Sequence, residues 1–307
     1  MDIVILLVGF SIGLVLLVKG ADEMVSSAVQ IALKFKLPSS IIGATFIGFG
    51  TSAPELFAST GAALKGDLDL GIGNIVGSNI ANSLLVVAVL YLALPKDFSQ
   101  KIKLNQISPV WMAIFSTIFV STYVLTNEFP FLLGAVLLIL VIYVIYKMIS
   151  TESVDEGELL GEEKNYIWLR GGLSLLATLY GSQLVVDNAV AIAELFGVSS
   201  LIIGSTIIAI GTSLPEIAGT ISAAKIRKPD IVFGNIFGSN LFNIGLVGAT
   251  AIMISPGEIG SVIDYQLFIM YFVSFIVIFL SRNVIKRNSL LGYLFIVAYI
   301  LFLISLF

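Results

Sequence analysis

Residues 50–55 read Gly-Thr-Ser-Ala-Pro-Glu, and residues 211–216 repeat this hexapeptide as Gly-Thr-Ser-Leu-Pro-Glu. Each hexapeptide lies in an apolar run and is followed by Gly-Asn-Ile-x-Gly-Ser-Asn-x-x-Asn, at 73–82 and at 234–243. The stretch 41–83 aligns with 202–244 without a gap, at a constant offset of 161 residues. Most identical positions are Gly, Pro, Thr, Ser, Glu or Asn, which an apolar composition does not explain. The chain is therefore an internal duplication that has kept small and polar residues.

The composition is that of a membrane protein. Hydrophobic residues make up 58% of the chain, charged residues 12%, and the mean hydropathy is +1.05. The net charge of −4 and the lack of a basic run interleaved with aromatics argue against a nucleic-acid partner. The absence of Cys and His removes thiol chemistry, imidazole bases and the usual transition-metal ligands. Oxygen-based binding of metal ions remains, and no cofactor is indicated.

The apolar segments predict an all-α, polytopic membrane protein with ten transmembrane helices, since about 20 apolar residues cross a bilayer. The predicted spans are 3–30, 40–64, 70–93, 105–125, 130–149, 166–195, 202–225, 230–254, 262–281 and 289–307. Residues 1–149 form a first repeat of five helices, 150–165 an acidic linker, and 166–307 a second repeat of five. Because five is odd, the second repeat enters the membrane in the opposite orientation, so the repeats are inverted.

The positive charges predict the orientation. Fourteen Lys and Arg residues fall on the side of the linker, whereas only Lys65 falls on the other side and Lys19 lies inside the first span. Such an excess marks the cytoplasmic side. We therefore expect a multi-pass protein of the cell membrane, with both termini outside and the linker cytoplasmic. Residues 1–18 lack a basic segment and a cleavage site, so they are read as the start of the first span.

Two prolines predict broken helices. Only Pro54 and Pro215 lie well inside a predicted span, at equivalent positions of the two repeats. A proline inside a helix removes the hydrogen bond to the carbonyl four residues earlier. We therefore expect backbone carbonyls around Gly50-Thr51 and Gly211-Thr212 to be released toward the interior.

Glu55 and Glu216 are the strongest candidates for a functional site. An ionised carboxylate at mid-membrane costs about 2.5–3.5 kcal/mol on insertion scales, so two of them need a cation or a proton as compensation. Hard cations such as calcium take six to eight oxygen ligands from carboxylates, carbonyls and amides. Ser and Asn residues four apart share a helix face that can line the same cavity. These pairs are Ser78 with Asn82 and Ser239 with Asn243.

Other polar and small residues have structural interpretations. The Gly-x-x-x-Gly pairs at 73–77 and 234–238 suit close helix packing against the broken helices. Interhelical hydrogen bonding is the favoured reading for four asparagines, Asn74, Asn79, Asn235 and Asn240. Five charged residues of the long first and sixth spans are expected to lie near the interface or to pair with one another, with a place along an entry route for ions as the alternative. They are Lys19, Asp22, Glu23, Asp187 and Glu194.

The doubled motif resembles the two alpha-repeats of the cation/calcium antiporter superfamily, and most of all the prokaryotic sodium/calcium exchangers. The resemblance covers all ten predicted spans and implies that Glu55 and Glu216 are the central calcium and sodium ligands. It also implies helping ligands, namely backbone oxygens of Thr51 and Thr212, the side chains of Ser52, Ser78, Ser213, Ser239 and Asn82, and more peripheral carbonyls of Gly48 and Ala209. Asn243 stands where the family often has Asp, which argues against potassium coupling. The family further implies alternating access, with the first and sixth helices sliding.

The resulting hypothesis is a secondary antiporter, not an enzyme, that exchanges calcium for sodium. A proton/calcium antiporter, or one for another divalent cation, is the alternative within the same fold. The proton-coupled branch of the family typically carries Gly-Asn-Ala-x-Glu where this chain has Gly-Thr-Ser-x-Pro-Glu. A membrane-embedded hydrolase or transferase is a remote alternative, since two-fold repetition suits an ion site better than an asymmetric triad. The expected partners are calcium, sodium and the lipid bilayer, and a monomer is compatible with the sequence.

Overall fold

The computed structural model describes residues 3–101, 107–150, 166–197, 209–260, 263–282 and 284–306. These residues are almost entirely helical, as predicted. The acidic linker 150–165 lies outside the described residues apart from Ser150, and so do the first residues of the predicted span 202–225.

The helices and strands are numbered in chain order. The helices are α1 (Ile3–Phe35), α2 (Ser39–Thr51), α3 (Ala53–Leu64), α4 (Leu68–Ala93), α5 (Ile107–Thr126), α6 (Phe131–Ser150), α7 (Ile167–Leu195), α8 (Ala209–Gly211), α9 (Leu214–Lys225), α10 (Pro229–Ile254), α11 (Asp264–Ser281) and α12 (Ser289–Ile304). The strands are β1 (Ser99–Lys101), β2 (Glu128–Phe129), β3 (Gly257–Glu258) and β4 (Val284–Lys286). Within the helices, π-helical turns occur at Gly43–Gly48, Asn82–Val86 and Asn243–Gly248.

Seven of the described helices are long and apolar enough to cross a membrane, and the bent pair α2–α3 makes an eighth. The seven are α1, α4, α5, α6, α7, α10 and α11. The two other predicted spans correspond to α12, which is apolar but has 16 residues, and to 202–225, which is described only from Ala209. The chain is therefore a multi-pass membrane protein.

The two longest helices, α1 and α7, pack against each other along most of their length. Glycine makes the close approach possible, because a Cβ atom at Gly181 would lie 2.4 Å from the Leu17 backbone nitrogen. A Cβ at Gly20 would lie 2.8 Å from the Thr178 nitrogen. Much of the remaining surface of α1 is apolar and exposed, as expected for a helix that faces lipid.

The interior of the molecule is formed by α4 and α10, which carry the second half of each repeat motif and are the most buried of the candidate spans. A Cβ at Gly234 would lie 2.2 Å from the Ser40 carbonyl oxygen, and one at Gly238 would lie 2.3 Å from that of Ala44. The predicted close packing is thus confirmed for α10 against α2. No described residue lies within 4 Å of a Cβ at Gly73 or Gly77. The segment equivalent to 40–44, residues 201–205, is outside the described part of the chain.

Short antiparallel strand pairs connect loops at the ends of the bundle. β1 pairs with β4, and β2 pairs with β3. Beside the β1–β4 pair, the Arg227 guanidinium donates to the Asp97 carboxylate at 2.7 Å. This hydrogen bond holds the pKa of Asp97 below its ordinary value. The loops that follow α4, α9 and α11 therefore lie together at one end.

Candidate ion site at the broken helices

Both prolines begin a new helix, as predicted from their position inside a span. The chain bends by 45° between α2 and α3. Ser52 is the N-cap residue of α3, Ser213 is that of α9, and each is followed by proline in the first two helical positions. Glu55 and Glu216 consequently lie in the first turn of α3 and α9, where the partial positive charge of the helix N-terminus stabilises an anion. Each glutamate is only 2% exposed.

Glu55 is held by groups of its own repeat. Its Oε1 atom accepts a hydrogen bond from the Ser78 hydroxyl at 3.4 Å, and the carboxylate also accepts from its own backbone N–H. Behind it, Asn74 donates to Ser59 Oγ at 2.9 Å and to the Glu55 carbonyl at 3.4 Å. The Asn74 contacts fix α4 against α3, which agrees with the interhelical role predicted for this residue.

Glu216 is held partly by the other repeat. The Thr51 hydroxyl of the first repeat lies near its carboxylate, and the Glu55 carboxylate is close enough for the two charges to repel. The Thr51 hydroxyl is also 3.0 Å from the Ile47 carbonyl oxygen. Because a hydroxyl has one proton, it can donate to only one of these acceptors at a time.

Six buried side-chain oxygens at equivalent positions of the two repeats have no hydrogen-bond partner among the described residues. They are Ser52 Oγ and Ser213 Oγ, Glu55 Oε2 and Glu216 Oε2, and Asn82 Oδ1 and Asn243 Oδ1. An unsatisfied buried polar atom is costly, and native proteins rarely tolerate several together. A hard cation that binds such oxygens would remove this penalty. In the described part of the chain no three acidic residues lie together, so the donor set is two carboxylates with neutral oxygens.

The asparagines of the motif join the two repeats. Asn82 Nδ2 donates to Asn240 Oδ1 at 3.1 Å, and Asn243 Nδ2 donates to Asn79 Oδ1 at 3.0 Å. The predicted interhelical hydrogen bonding by Asn79 and Asn240 is therefore confirmed. That these bonds cross between the repeats was not foreseen. The sequence signal was the presence of both residues in each copy of the motif.

Two backbone carbonyls of the broken helices, those of Gly48 and Gly211, already accept hydrogen bonds from side chains. The Gly48 carbonyl already accepts from the Ser239 hydroxyl at 3.2 Å and from the Ser52 N–H at 3.2 Å. The Gly211 carbonyl, freed by Pro215, accepts from the Ser182 hydroxyl of α7 at 3.1 Å. Ser182 was not identified from the sequence because its counterpart in the first repeat, Ala21, is not polar.

A cavity of about 400 Å³ reaches the second broken helix from the C-terminal half of α7. Pro54, Gly211 and Thr212 of the broken helices line this cavity together with Asp187 and Glu194 of α7. Asp187 accepts a hydrogen bond from Gln183 at 2.7 Å. The two acidic residues, for which a route for ions was the alternative expectation, therefore line a cavity that extends to a predicted ligand, Thr212. Ala209 begins α8, at the edge of the described residues.

The C-terminal half of α1 is tied to α7 and α9 by polar and ionic contacts. Asp22 of α1 accepts from the Ser222 hydroxyl of α9 at 2.5 Å and lies 3.8 Å from Lys225 Nζ. Glu23 lies 2.6 Å from the Arg170 guanidinium of α7. The sequence analysis expected the charged residues of the long helices to pair with one another, but the partners of Glu23 and Asp22 are Arg170 and Lys225, which it did not identify. These contacts hold α1 to the half-helix that begins near Glu216.

Comparisons with known proteins give one consistent result. The model of the family described as sodium/calcium exchanger protein matches residues 5–151 and 166–307. CaxA of Alkalimonas amylolytica is 39% identical over 261 residues, which cover 81% of this chain and 80% of that protein. The sodium/calcium exchanger MaX1 of Methanosarcina acetivorans is 31% identical over an aligned length of 347 residues, covering 96% of this chain and 97% of that protein.

Solved structures of the sodium-calcium exchanger NCX_Mj have the same fold. One determined after soaking with 10 mM Na⁺ and zero Ca²⁺ superposes with a TM-score of 0.83 at 28% identity, and 100% of each chain is covered. Another, soaked with 10 mM Na⁺ and 10 mM Sr²⁺, gives a TM-score of 0.82 and covers 98% of each chain.

Proposed function

This chain belongs to the sodium/calcium exchanger family, and from that premise we propose that it exchanges calcium for sodium at a site between Glu55 and Glu216. The protein is a transporter and not an enzyme. The ions are its substrates, and they pass through the site by alternating access.

The convergence of Glu55 and Glu216 carries this proposal. Two buried carboxylates repel each other, and no Lys or Arg of the described residues pairs with either one. One calcium ion neutralises both charges. The carboxylate and amide oxygens that have no partner among the described residues, those of Glu55, Glu216, Asn82 and Asn243, supply part of the six to eight ligands that calcium requires. Backbone oxygens of Thr51 and Thr212 complete the central site.

Sodium is the proposed driving ion because neutral oxygens surround the carboxylates. The hydroxyls of Ser52 and Ser213 have no hydrogen-bond partner in the described part of the chain, and the hydroxyl of Ser78 contacts Glu55. Several singly charged ions can divide these ligands among them, whereas proton exchange needs only the two carboxylates to titrate. Ser239 and the carbonyls of Gly48 and Ala209 belong to the peripheral sodium ligands. In the described conformation, Gly48 would first have to give up the Ser239 hydrogen bond.

The proposed architecture is ten helices in two inverted repeats, 1–149 and 166–307, joined by a cytoplasmic linker at 150–165, with both termini outside. Reciprocal hydrogen bonds between Asn82 and Asn240 and between Asn243 and Asn79 support a two-fold relation of the repeats. The strand pairs support the topology because each joins loops that this topology assigns to one side of the membrane.

In this topology, the cavity beside Asp187 and Glu194 opens to the outside, and the Asp22 and Glu23 contacts close the cytoplasmic side. The described conformation therefore corresponds to an outward-facing state. Movement of α1 and α7 against the remaining helices would exchange the open and closed sides. The contacts of Asp22 with Ser222 and Lys225 of α9 must then break when the cytoplasmic side opens, whereas the Glu23–Arg170 pair joins α1 to α7 and moves with them.

Proteoliposomes test the driving ion. Vesicles that contain the purified protein are loaded with sodium, the pH is clamped equal on both sides, and uptake of radioactive calcium is measured. We expect uptake that disappears when choline replaces sodium. Lys65→Ala, which changes a loop residue away from the site, serves as a variant that should remain active.

A second assay tests the proton-coupled alternative: a pH gradient is imposed across the same vesicles in the absence of sodium, and calcium uptake is measured. Full calcium uptake under that gradient would identify a proton-coupled antiporter. It would also remove the role proposed here for Ser52, Ser78, Ser213 and Ser239. Absence of uptake in both conditions, with folded protein in the vesicles, would contradict calcium antiport itself.

A further inference from the structure

Asn79 and Asn240 each follow a serine of the motif and precede the next asparagine by three residues. Both are fully buried, with 0% exposure. Neither belongs to the proposed ligands, yet each contacts a ligand of the opposite repeat: Asn79 contacts Asn243, and Asn240 contacts Asn82. Their hydrogen bonds decide which end of the ligand amide is left free.

Asn79 has only one possible orientation in its surroundings. Its Nδ2 atom donates to the backbone carbonyl of Asn240 at 3.3 Å, and a carbonyl can only accept. The Oδ1 atom of Asn79 therefore points the other way, where it accepts from Asn243 Nδ2 at 3.0 Å. With its nitrogen engaged, Asn243 keeps its oxygen free, and this oxygen is buried without a partner among the residues described.

The mirror arrangement holds Asn82. Asn240 Nδ2 donates to the Ser83 hydroxyl at 3.1 Å, and Asn240 Oδ1 accepts from Asn82 Nδ2 at 3.1 Å. The oxygen of Asn82 is again buried, with no partner in the described part of the chain. The partner of Asn240 Nδ2 is the Ser83 hydroxyl, which can donate or accept. The orientation of the Asn240 amide is therefore less rigidly determined than that of the Asn79 amide.

The free oxygens lie on the side of the ion site. Asn82 shares a helix face with Ser78, whose hydroxyl contacts Glu55, and Asn243 shares one with Ser239. The π-turn that starts at Asn243 packs against α3, and the one that starts at Asn82 packs against α9. A reversed amide would present two N–H groups to a cation in place of an oxygen.

We propose that Asn79 and Asn240 are positioning residues, which hold the amides of Asn243 and Asn82 with their oxygens toward the transported ions. This inference rests on the proposed function, because it assigns the orientation of ligands within the same site. A purely structural role would need the hydrogen bonds between helices but not this particular orientation. Replacing the ligand amide by a carboxylate separates the two roles, since a carboxylate has oxygen at both ends.

The experiment is a double-mutant cycle in sodium-loaded proteoliposomes. Asn79→Leu, Asn243→Asp and the double variant are compared with the wild type for apparent KM and maximal rate of calcium uptake. Asn79→Leu alone should raise the KM about tenfold, the scale of one or two lost hydrogen bonds, with the maximal rate retained within about twofold. In the Asn243→Asp background, the same Asn79→Leu change should leave the KM unchanged.

Met270→Leu is the matched control, since it removes the sulfur 3.6 Å from Asn79 Nδ2 but leaves both amide hydrogen bonds in place. It should not change the KM. An equal increase in KM in both backgrounds, or no increase in either, would overturn the proposal. If Asn79→Leu does not fold, the mirror cycle of Asn240→Leu with Asn82→Asp decides by the same criterion. Inactive wild-type protein would instead contradict the proposed function.

Discussion

Replacement of either central glutamate by glutamine should abolish calcium exchange while leaving a folded protein. The change removes one of two charges at a position that is 2% exposed. Removing one partner of a buried pair of opposite charges, here a carboxylate that faces the bound calcium, typically costs about 3–5 kcal/mol. About 1.4 kcal/mol corresponds to a factor of ten in affinity. Calcium affinity should therefore fall by a factor between about one hundred and a few thousand. Without calcium, glutamine should be tolerated, because it relieves the repulsion between Glu55 and Glu216.

Two measurements separate loss of binding from loss of folding. Thermal unfolding of purified Glu55→Gln and Glu216→Gln, without calcium, should give a Tm equal to or above that of the wild type. Calcium should raise the Tm of the wild type only, because a ligand stabilises the state that binds it. Proteoliposomes then report uptake. Glu258→Gln, which neutralises an exposed glutamate of β3, is the matched control and should keep normal uptake. Near-normal calcium flux in either central variant would refute the site assignment.

Two further predictions concern packing and pH. Gly238→Ala should lower the free energy of unfolding by about 1–3 kcal/mol, because the added methyl would lie 2.3 Å from the Ala44 carbonyl oxygen. Thermal unfolding measures this loss. The control is Gly172→Ala, which should not lower the Tm because the space at its Cβ is open among the described residues. Asp97→Asn should lower the Tm at neutral pH. Arg227 depresses the pKa of Asp97 in the folded protein. The stability that the Asp97–Arg227 pair contributes is therefore fully present above the ordinary pKa of 3.8 and is lost as the pH falls through the lower pKa of the folded state. A Tm difference that persists after full protonation would contradict this.

Much of the architecture follows from local chemistry that the sequence states directly. Pro54 and Pro215 have no N–H to donate, so a helix cannot continue unchanged through either one. The bend of 45° at the first of them and the new helix that begins at each were therefore predictable. The choice of Glu55 and Glu216 as the centre was also possible, because an uncompensated charge in a membrane is costly wherever the helices lie.

The contacts between the two repeats could not be predicted from the sequence. Thr51 of the first repeat lies near the Glu216 carboxylate of the second, and the Gly48 carbonyl accepts a hydrogen bond from Ser239. Both depend on distances between helices that are far apart in the chain. The π-turns at Asn82 and Asn243 have no residue signature that distinguishes them from ordinary helix.

The sequence alone thus determined the duplication, the membrane class, the helix breaks and the two carboxylates, because each depends on the chemistry of single residues or on short-range spacing. Tertiary structure decided which atoms are free to bind an ion. An asparagine offers an oxygen or a nitrogen according to the partner at its other end. For Asn243 that partner is Asn79, which is itself oriented by the Asn240 backbone carbonyl. Only the packing of the two repeats brings these three groups together.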